Sequence, residues 1–122
     1  MTGTDLTELV IQYEKHGWRL RRIVSTDTLG PDILREIEAF GDDIYVSLSV
    51  VDGAWFSRRS GERSETWELR RLGGSPLAML ARIEPHSDPG GIEKILREIE
   101  EKMSHKTKSV FSTDAKVSPT SA

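Results

Sequence analysis

Residues 44–84 read IYVSLSVVDGAWFSRRSGERSETWELRRLGGSPLAMLARIE, and this stretch decides the fold. Turn-forming pairs at Asp52-Gly53, Ser60-Gly61 and Gly73-Gly74 interrupt runs that are rich in β-branched and aromatic residues. Such punctuation predicts three or four short strands joined by turns. The clearest unit is a hairpin closed by the loop SGERS.

The loop length of this hairpin fixes its register, because each successive pair lies one residue further from the loop on both strands. The predicted pairs are Arg59 with Glu65, Ser57 with Trp67, and Trp55 with Leu69. In this register the two tryptophans are diagonal neighbours on one face of the sheet. The other face then carries Phe56, Arg58, Thr66, Glu68 and Arg70.

The chain before this stretch predicts a helix and a strand. A capping pattern at Thr4 and apolar residues at helical spacing indicate an amphipathic helix that ends at Gly17, where glycine can adopt a left-handed conformation. Residues 18–26 are rich in β-branched, aromatic and arginine residues and predict a strand. Their alternation breaks at Arg22, which indicates a bulge.

Three more elements complete the predicted order. Pro31 begins a second helix, which ends at Gly41. Residues 75–83 form the last strand, and apolar residues at intervals of three and four over 92–103 predict a C-terminal helix. This helix either covers the sheet or pairs with a copy of itself. The predicted order is α-β-α-β-β-β-β-α, an α+β fold with a mainly antiparallel sheet of four to five strands.

The chain has 122 residues, which suits one domain with one core. We expect that domain to span residues 4–103. Residues 104–122 read SHKTKSVFSTDAKVSPTSA, a composition typical of a disordered tail.

Composition excludes several classes of function. There is no cysteine, so disulfides, thiolate catalysis and zinc sites built on thiolates are ruled out. The net charge of −3 gives no general attraction to nucleic acid or to an anionic membrane. The N-terminal residues lack the features of a signal peptide, so we expect a cytoplasmic protein that does not bind membranes.

Arginines on the predicted strands are the main functional signal. They outnumber the acids Glu65 and Glu68 there, and their guanidinium groups suit phosphate, carboxylate or an acidic partner. The candidate partner-binding residues are Arg19, Arg21, Arg58, Arg70 and Arg71. The competing interpretation is that the strand arginines pair with Glu65, Glu68 and the acidic helices, with their stems covering tryptophan and leucine.

Other residue types give weaker signals. The tryptophans suit core packing better than base stacking. His16, His86 and His105 are scattered, and neither Gly73-Gly74 nor Gly90-Gly91 has the context of a phosphate-binding loop. The sequence therefore assigns no catalytic residue, no metal ligand and no cofactor. An enzyme would require a pocket that brings His86 close to Asp42 or Glu84.

Three segments carry a resemblance to known sequences: residues 13–22 (YEKHGWRLRR), 54–58 (AWFSR) and 67–70 (WELR). They are similar to segments of uncharacterised small bacterial α+β proteins that have no assigned activity. The resemblance covers about residues 6–83 and implies a bacterial origin but no mechanism. The acidic C-terminal helix and the tail lie outside it.

These observations predict a non-enzymatic module that binds a protein partner or a second copy of itself. The sheet arginines would match acidic groups on that partner. The alternative is binding of nucleic acid or a nucleotide on the arginine-rich sheet face, with an affinity that falls steeply with salt.

Overall fold

A computed structural model of the chain describes the backbone of residues 3–61, 64–74, 76–84 and 88–117, and the side chains of that part between residues 6 and 107. The elements are α1 (Gly3–Lys15), β1 (Arg19–Ser25), α2 (Pro31–Glu38), β2 (Tyr45–Leu48), β3 (Gly53–Arg59), β4 (Glu65–Arg71), β5 (Ala78–Ile83) and α3 (Pro89–Val117). Their order confirms the predicted α+β arrangement.

The five strands form one mixed sheet in the order β2-β1-β3-β4-β5. Three of the four neighbouring pairs are antiparallel, and β1 and β2 are parallel. Parallel neighbours need a crossover between them, and α2 supplies it. The mainly antiparallel sheet is thus confirmed, and β2 forms one of its edges.

The predicted hairpin register is confirmed at all three pairs, which are Arg59 with Glu65, Ser57 with Trp67, and Trp55 with Leu69. The rings of Trp55 and Trp67 meet edge to face with their centroids 6.2 Å apart. The predicted bulge in β1 is also present, because the pairing with β3 shifts register between Leu20 and Arg22.

Alternate residues of each strand pack into two separate clusters on the two faces of the sheet. On the α3 face, Trp55, Trp67 and Leu69 are buried with Leu96 and Met103 of the helix. On the opposite face, α1 and α2 cover a cluster that consists of Leu6, Val10, Leu20, Ile23, Ile37, Ala54 and Phe56. The C-terminal helix therefore covers the sheet, which was one of its two predicted roles.

The sequence predicted the end of α1 and the end of α3 with different success. Gly17 has a φ of +84° just after α1, as expected for a helix that ends in a left-handed residue. Helix α3, however, continues through Val117, whereas the sequence predicted that the ordered domain ends at residue 103. Ser104 is buried, and the Thr107 hydroxyl donates a hydrogen bond to its carbonyl oxygen at 2.9 Å, so the first turn beyond residue 103 is bonded within the helix. Residues 118–122 of the predicted tail lie outside the described residues.

Candidate functional site

The structure divides the five candidate arginines between different places. Arg19, Arg21 and Arg58 line one cleft, which they share with Arg59, and we call it the arginine cleft. Arg70 instead lies close enough to Tyr13 for its positive charge to act on the phenol group. Arg71 packs its guanidinium against Gly74, beyond the far end of β4. The five residues therefore do not form one continuous surface.

Side chains of the protein hold the arginines of the cleft in place. Arg21 Nη1 donates a hydrogen bond to Ser57 Oγ at 2.9 Å, and its guanidinium lies 4.6 Å from the centre of the Trp67 ring. Its nearest carboxylate oxygen belongs to Glu65 and is 3.7 Å away. Pairing with Glu65 and stacking on tryptophan are features that the competing interpretation of the arginines predicted.

The other two candidate arginines of the cleft have partners as well. Arg58 donates a hydrogen bond to the carbonyl oxygen of His16 at 3.1 Å, and its guanidinium lies 4.9 Å from the centre of the Trp18 ring. Arg19 forms an exposed ion pair with Asp43. Each guanidinium carries five N–H donors, so these bonds orient the groups and use only part of their donor capacity.

The aromatic residues of the hairpin pack in the core, as the sequence predicted. Trp55 and Phe56 are fully buried and Trp67 is 5% exposed, so none of the three offers a free ring face to a base. Tyr13 stacks on Phe56 with 3.9 Å between the ring centroids, and its hydroxyl donates a hydrogen bond to Glu68. Burial and the Glu68 carboxylate raise the pKa of Tyr13 above its usual value.

A second surface surrounds the edge strand β2, and we call it the β2 edge. Tyr45, Leu48 and Val50 are 57%, 69% and 53% exposed, which is unusual for three large apolar side chains so close together. Residues 44–51 (IYVSLSVV) contain no charged residue and no proline. Natural sheet edges are commonly protected by charges, proline or bulges, and this one lacks the first two.

Sequence reasoning missed the β2 edge as a candidate site. The signal in the sequence was the uncharged run over residues 44–51, which is compatible with either a central or an edge strand. Edge position depends on pairing between strands that are distant in the chain. Only the strand order shows that the run lies at the border of the sheet.

A cleft of about 220 Å³ lies between the β2 edge and α3. Arg22 Nη1 donates hydrogen bonds to both carboxylate oxygens of Glu93 at 3.0 Å, and its guanidinium lies 5.0 Å from the centre of the Tyr45 ring. The hydrogen bond from Arg22 lowers the pKa of Glu93. Arg22 therefore contacts both the exposed ring of Tyr45 and Glu93 of helix α3.

The residues considered for enzymatic chemistry are the three histidines and the acids Asp42 and Glu84, and the structure describes only some of them. Within the described part of the chain, no group of three or more histidine, aspartate or glutamate residues is arranged to hold a metal ion. His16 lies just after α1 and His105 lies on α3. His86 lies outside the described residues, so the pocket that would pair it with Asp42 or Glu84 stays a prediction.

Among the described residues, no helix combines the length and the apolar character that a membrane crossing requires. The chain matches no model of a known protein family, and comparisons with curated proteins and with solved structures find no match either. The similarity of residues 13–22, 54–58 and 67–70 to small bacterial proteins therefore stays a prediction. The function proposed below rests on the geometry of the β2 edge and of the arginine cleft.

Proposed function

We propose that this protein is a non-enzymatic self-assembly module in which two copies pair through their β2 edges. The observation that carries the proposal is the exposure of Tyr45 and Leu48 on β2, and of Val50 just after it, in an uncharged segment at the border of the sheet. A strand edge presents a row of N–H and C=O groups that a second strand can satisfy. Pairing of two copies would extend each five-stranded sheet into a continuous sheet of ten.

A second copy is favoured as the occupant because residues 44–50 are self-complementary in antiparallel pairing. With the two-fold axis at Ser47, Val46 lies opposite Leu48 of the other copy and Ile44 lies opposite Val50 of the other copy. Tyr45 then lies opposite Ser49 of the other copy. The first two of these pairs join apolar side chains to apolar side chains, which is an arrangement that stabilises cross-strand pairing.

The neighbouring surface of α3 is compatible with this pairing. Lys94 and Arg97 alternate there with three acids, Glu93, Glu98 and Glu101. Two copies brought edge to edge therefore meet across a surface of mixed charge, whereas a surface of one sign would repel its own copy. Each main-chain hydrogen bond gained contributes about 1 kcal/mol net, so a short strand pair gives a dimer of modest affinity unless side chains add to it.

Light scattering of the eluting protein over a series of concentrations tests the proposal. The wild type should pass from 13.7 kDa toward twice that mass as its concentration rises. Leu48→Lys places a charge inside the paired edge and should keep the protein monomeric.

Leu80→Lys is the matched control, because Leu80 is 60% exposed on β5, at the opposite border of the sheet. This variant should dimerise like the wild type. A wild type that stays monomeric at every concentration, or a dimer that Leu80→Lys abolishes and Leu48→Lys preserves, would contradict the proposal.

Nucleic-acid binding across the sheet arginines has less support. Arg58 and Arg70 lie on the face of the sheet opposite to α3, because they alternate along their strands with residues of the α3 face. Arg21 and Arg22 lie on the α3 face, beside Trp67 and Trp55 respectively. The arginines are thus distributed over both faces, and an extended phosphate backbone would contact only some of them.

A further inference from the structure

We propose that the arginine cleft binds a compact phosphorylated ligand with at least two negative charges. The cleft has a volume of about 580 Å³, and in the part of the chain that the structure describes four arginines line it, Arg19, Arg21, Arg58 and Arg59. Among the described residues, the acids of its lining are Glu65 and Glu84. This site is distinct from the β2 edge, so the inference stands or fails independently of the self-assembly proposed above.

The arginines are preorganised for an anion. Arg21 is fixed by Ser57 and by the Trp67 ring, and Arg58 is fixed by the His16 carbonyl oxygen and by the Trp18 ring. A guanidinium that is already oriented loses less side-chain entropy when a ligand binds. The contact with a tryptophan ring restricts the guanidinium group, and each group bonds to the protein through only one of its nitrogens in the contacts given above.

The chemistry of the lining favours phosphate over a single carboxylate. One guanidinium satisfies a carboxylate with two parallel N–H bonds, whereas a phosphate group presents three terminal oxygens and can accept from several arginines at once. Four arginines around one cleft exceed what one carboxylate requires. The excess of positive over negative lining residues also favours a ligand that carries more than one charge.

The size and surroundings of the cleft favour a compact ligand over a nucleic-acid strand. A volume of a few hundred cubic ångströms is typical of sites for small molecules. The whole chain carries a net charge of −3, and the acids Glu65 and Glu84 are part of the cleft lining itself. A strand that extends beyond the cleft would therefore meet repulsion.

Isothermal titration calorimetry with pyrophosphate as the probe tests this inference. Arg21→Gln and Arg19→Gln should each weaken binding by about tenfold, the effect of losing one charge-assisted hydrogen bond.

Glu65→Gln should strengthen binding several-fold, because it removes the carboxylate that competes for Arg21 while its amide oxygen can still accept from the Trp67 indole N–H. The control is Arg35→Gln on α2, which removes an arginine outside the cleft lining and should leave the affinity within about twofold of the wild type.

Circular dichroism of each variant separates loss of the site from loss of the fold. If Arg21→Gln does not fold, Arg19→Gln alone tests the contribution of the cleft arginines. The inference is overturned if the wild type does not bind pyrophosphate, or if Arg35→Gln weakens binding as much as the cleft variants do. It is also overturned if a single-stranded oligonucleotide binds more tightly than pyrophosphate with a steep dependence on salt, because the site would then serve nucleic acid. Stronger binding by Glu65→Gln together with weaker binding by Arg19→Gln supports it.

Discussion

The indole N–H of Trp55 on β3 donates a hydrogen bond to Glu100 Oε2 on α3 at 2.8 Å, in the interior between sheet and helix. The second carboxylate oxygen of Glu100 accepts from the Ser49 hydroxyl at 2.7 Å, next to the β2 edge. Glu100 is only 8% exposed, so both of its oxygens are used inside the protein. One carboxylate thus joins the helix, the central hairpin and the segment that follows β2.

Replacing Glu100 with alanine should destabilise the protein by about 2 to 3 kcal/mol, because the buried Trp55 N–H loses its acceptor. Urea unfolding monitored by tryptophan fluorescence measures the change. The control is Glu101→Ala, since Glu101 is exposed on the same helix and its loss should cost less than about 0.5 kcal/mol. Equal stabilities of the two variants would show that the bond at Glu100 contributes nothing.

The ion pair between Arg22 and Glu93 predicts a dependence on pH. The bond from Arg22 lowers the pKa of Glu93 in the folded protein below the ordinary value of 4.5. A carboxyl group whose pKa is lowered on folding stabilises the protein above its unfolded pKa, and this contribution is lost as the pH falls through the folded pKa. The contribution is small, because about half of the Glu93 side chain is exposed.

Arg22→Gln should therefore raise the pKa of Glu93 toward 4.5. A carbon NMR titration of the Glu93 carboxyl group in the wild type and in the variant measures this directly. An unchanged titration midpoint in Arg22→Gln would rule out Arg22 as the cause of the shift.

Gly53 at the start of β3 is a place where any side chain meets the core. A Cβ atom there would lie 2.7 Å from Leu69 Cδ1 and 3.3 Å from the carbonyl oxygen of Arg70. Leu69 is fully buried and has little room to move, so Gly53→Ala should cost about 1 to 3 kcal/mol through overpacking. Thermal unfolding compares it with Gly30→Ala, where no atom lies within 4 Å of the added carbon and the loss should be smaller.

The sequence predicted the local features of this fold well and the distant ones poorly. The register of the hairpin was predicted because its loop joins residues that are close in the chain. The parallel pairing of β1 with β2 depends on a crossover through α2, and the alternation of residues in 44–51 does not specify it. The exposed edge at Tyr45 and Leu48 was missed for the same reason.

The arginines show a similar limit. The bulge between Leu20 and Arg22 places the neighbours Arg21 and Arg22 beside Trp67 and Trp55, both on the α3 face, although regular alternation would separate them. The predicted set of five then splits, because Arg70 and Arg71 lie far along β4 from the cleft. Arg59, which the sequence left out of that set, lines the cleft with Arg19, Arg21 and Arg58.

Oxidative cross-linking of a Ser47→Cys variant tests the central claim, the pairing of two β2 edges, most directly. The chain has no cysteine of its own, so the introduced thiol can pair only with its copy in another molecule. In the proposed dimer Ser47 faces itself across the two-fold axis, where opposite Cα atoms of antiparallel strands are about 4.5 to 5.5 Å apart, within the range that a disulfide spans. Ser60→Cys is the control, since Ser60 is exposed in the loop between β3 and β4. The account predicts rapid formation of a covalent dimer by Ser47→Cys and slow formation by Ser60→Cys, and equal rates for the two variants would contradict it.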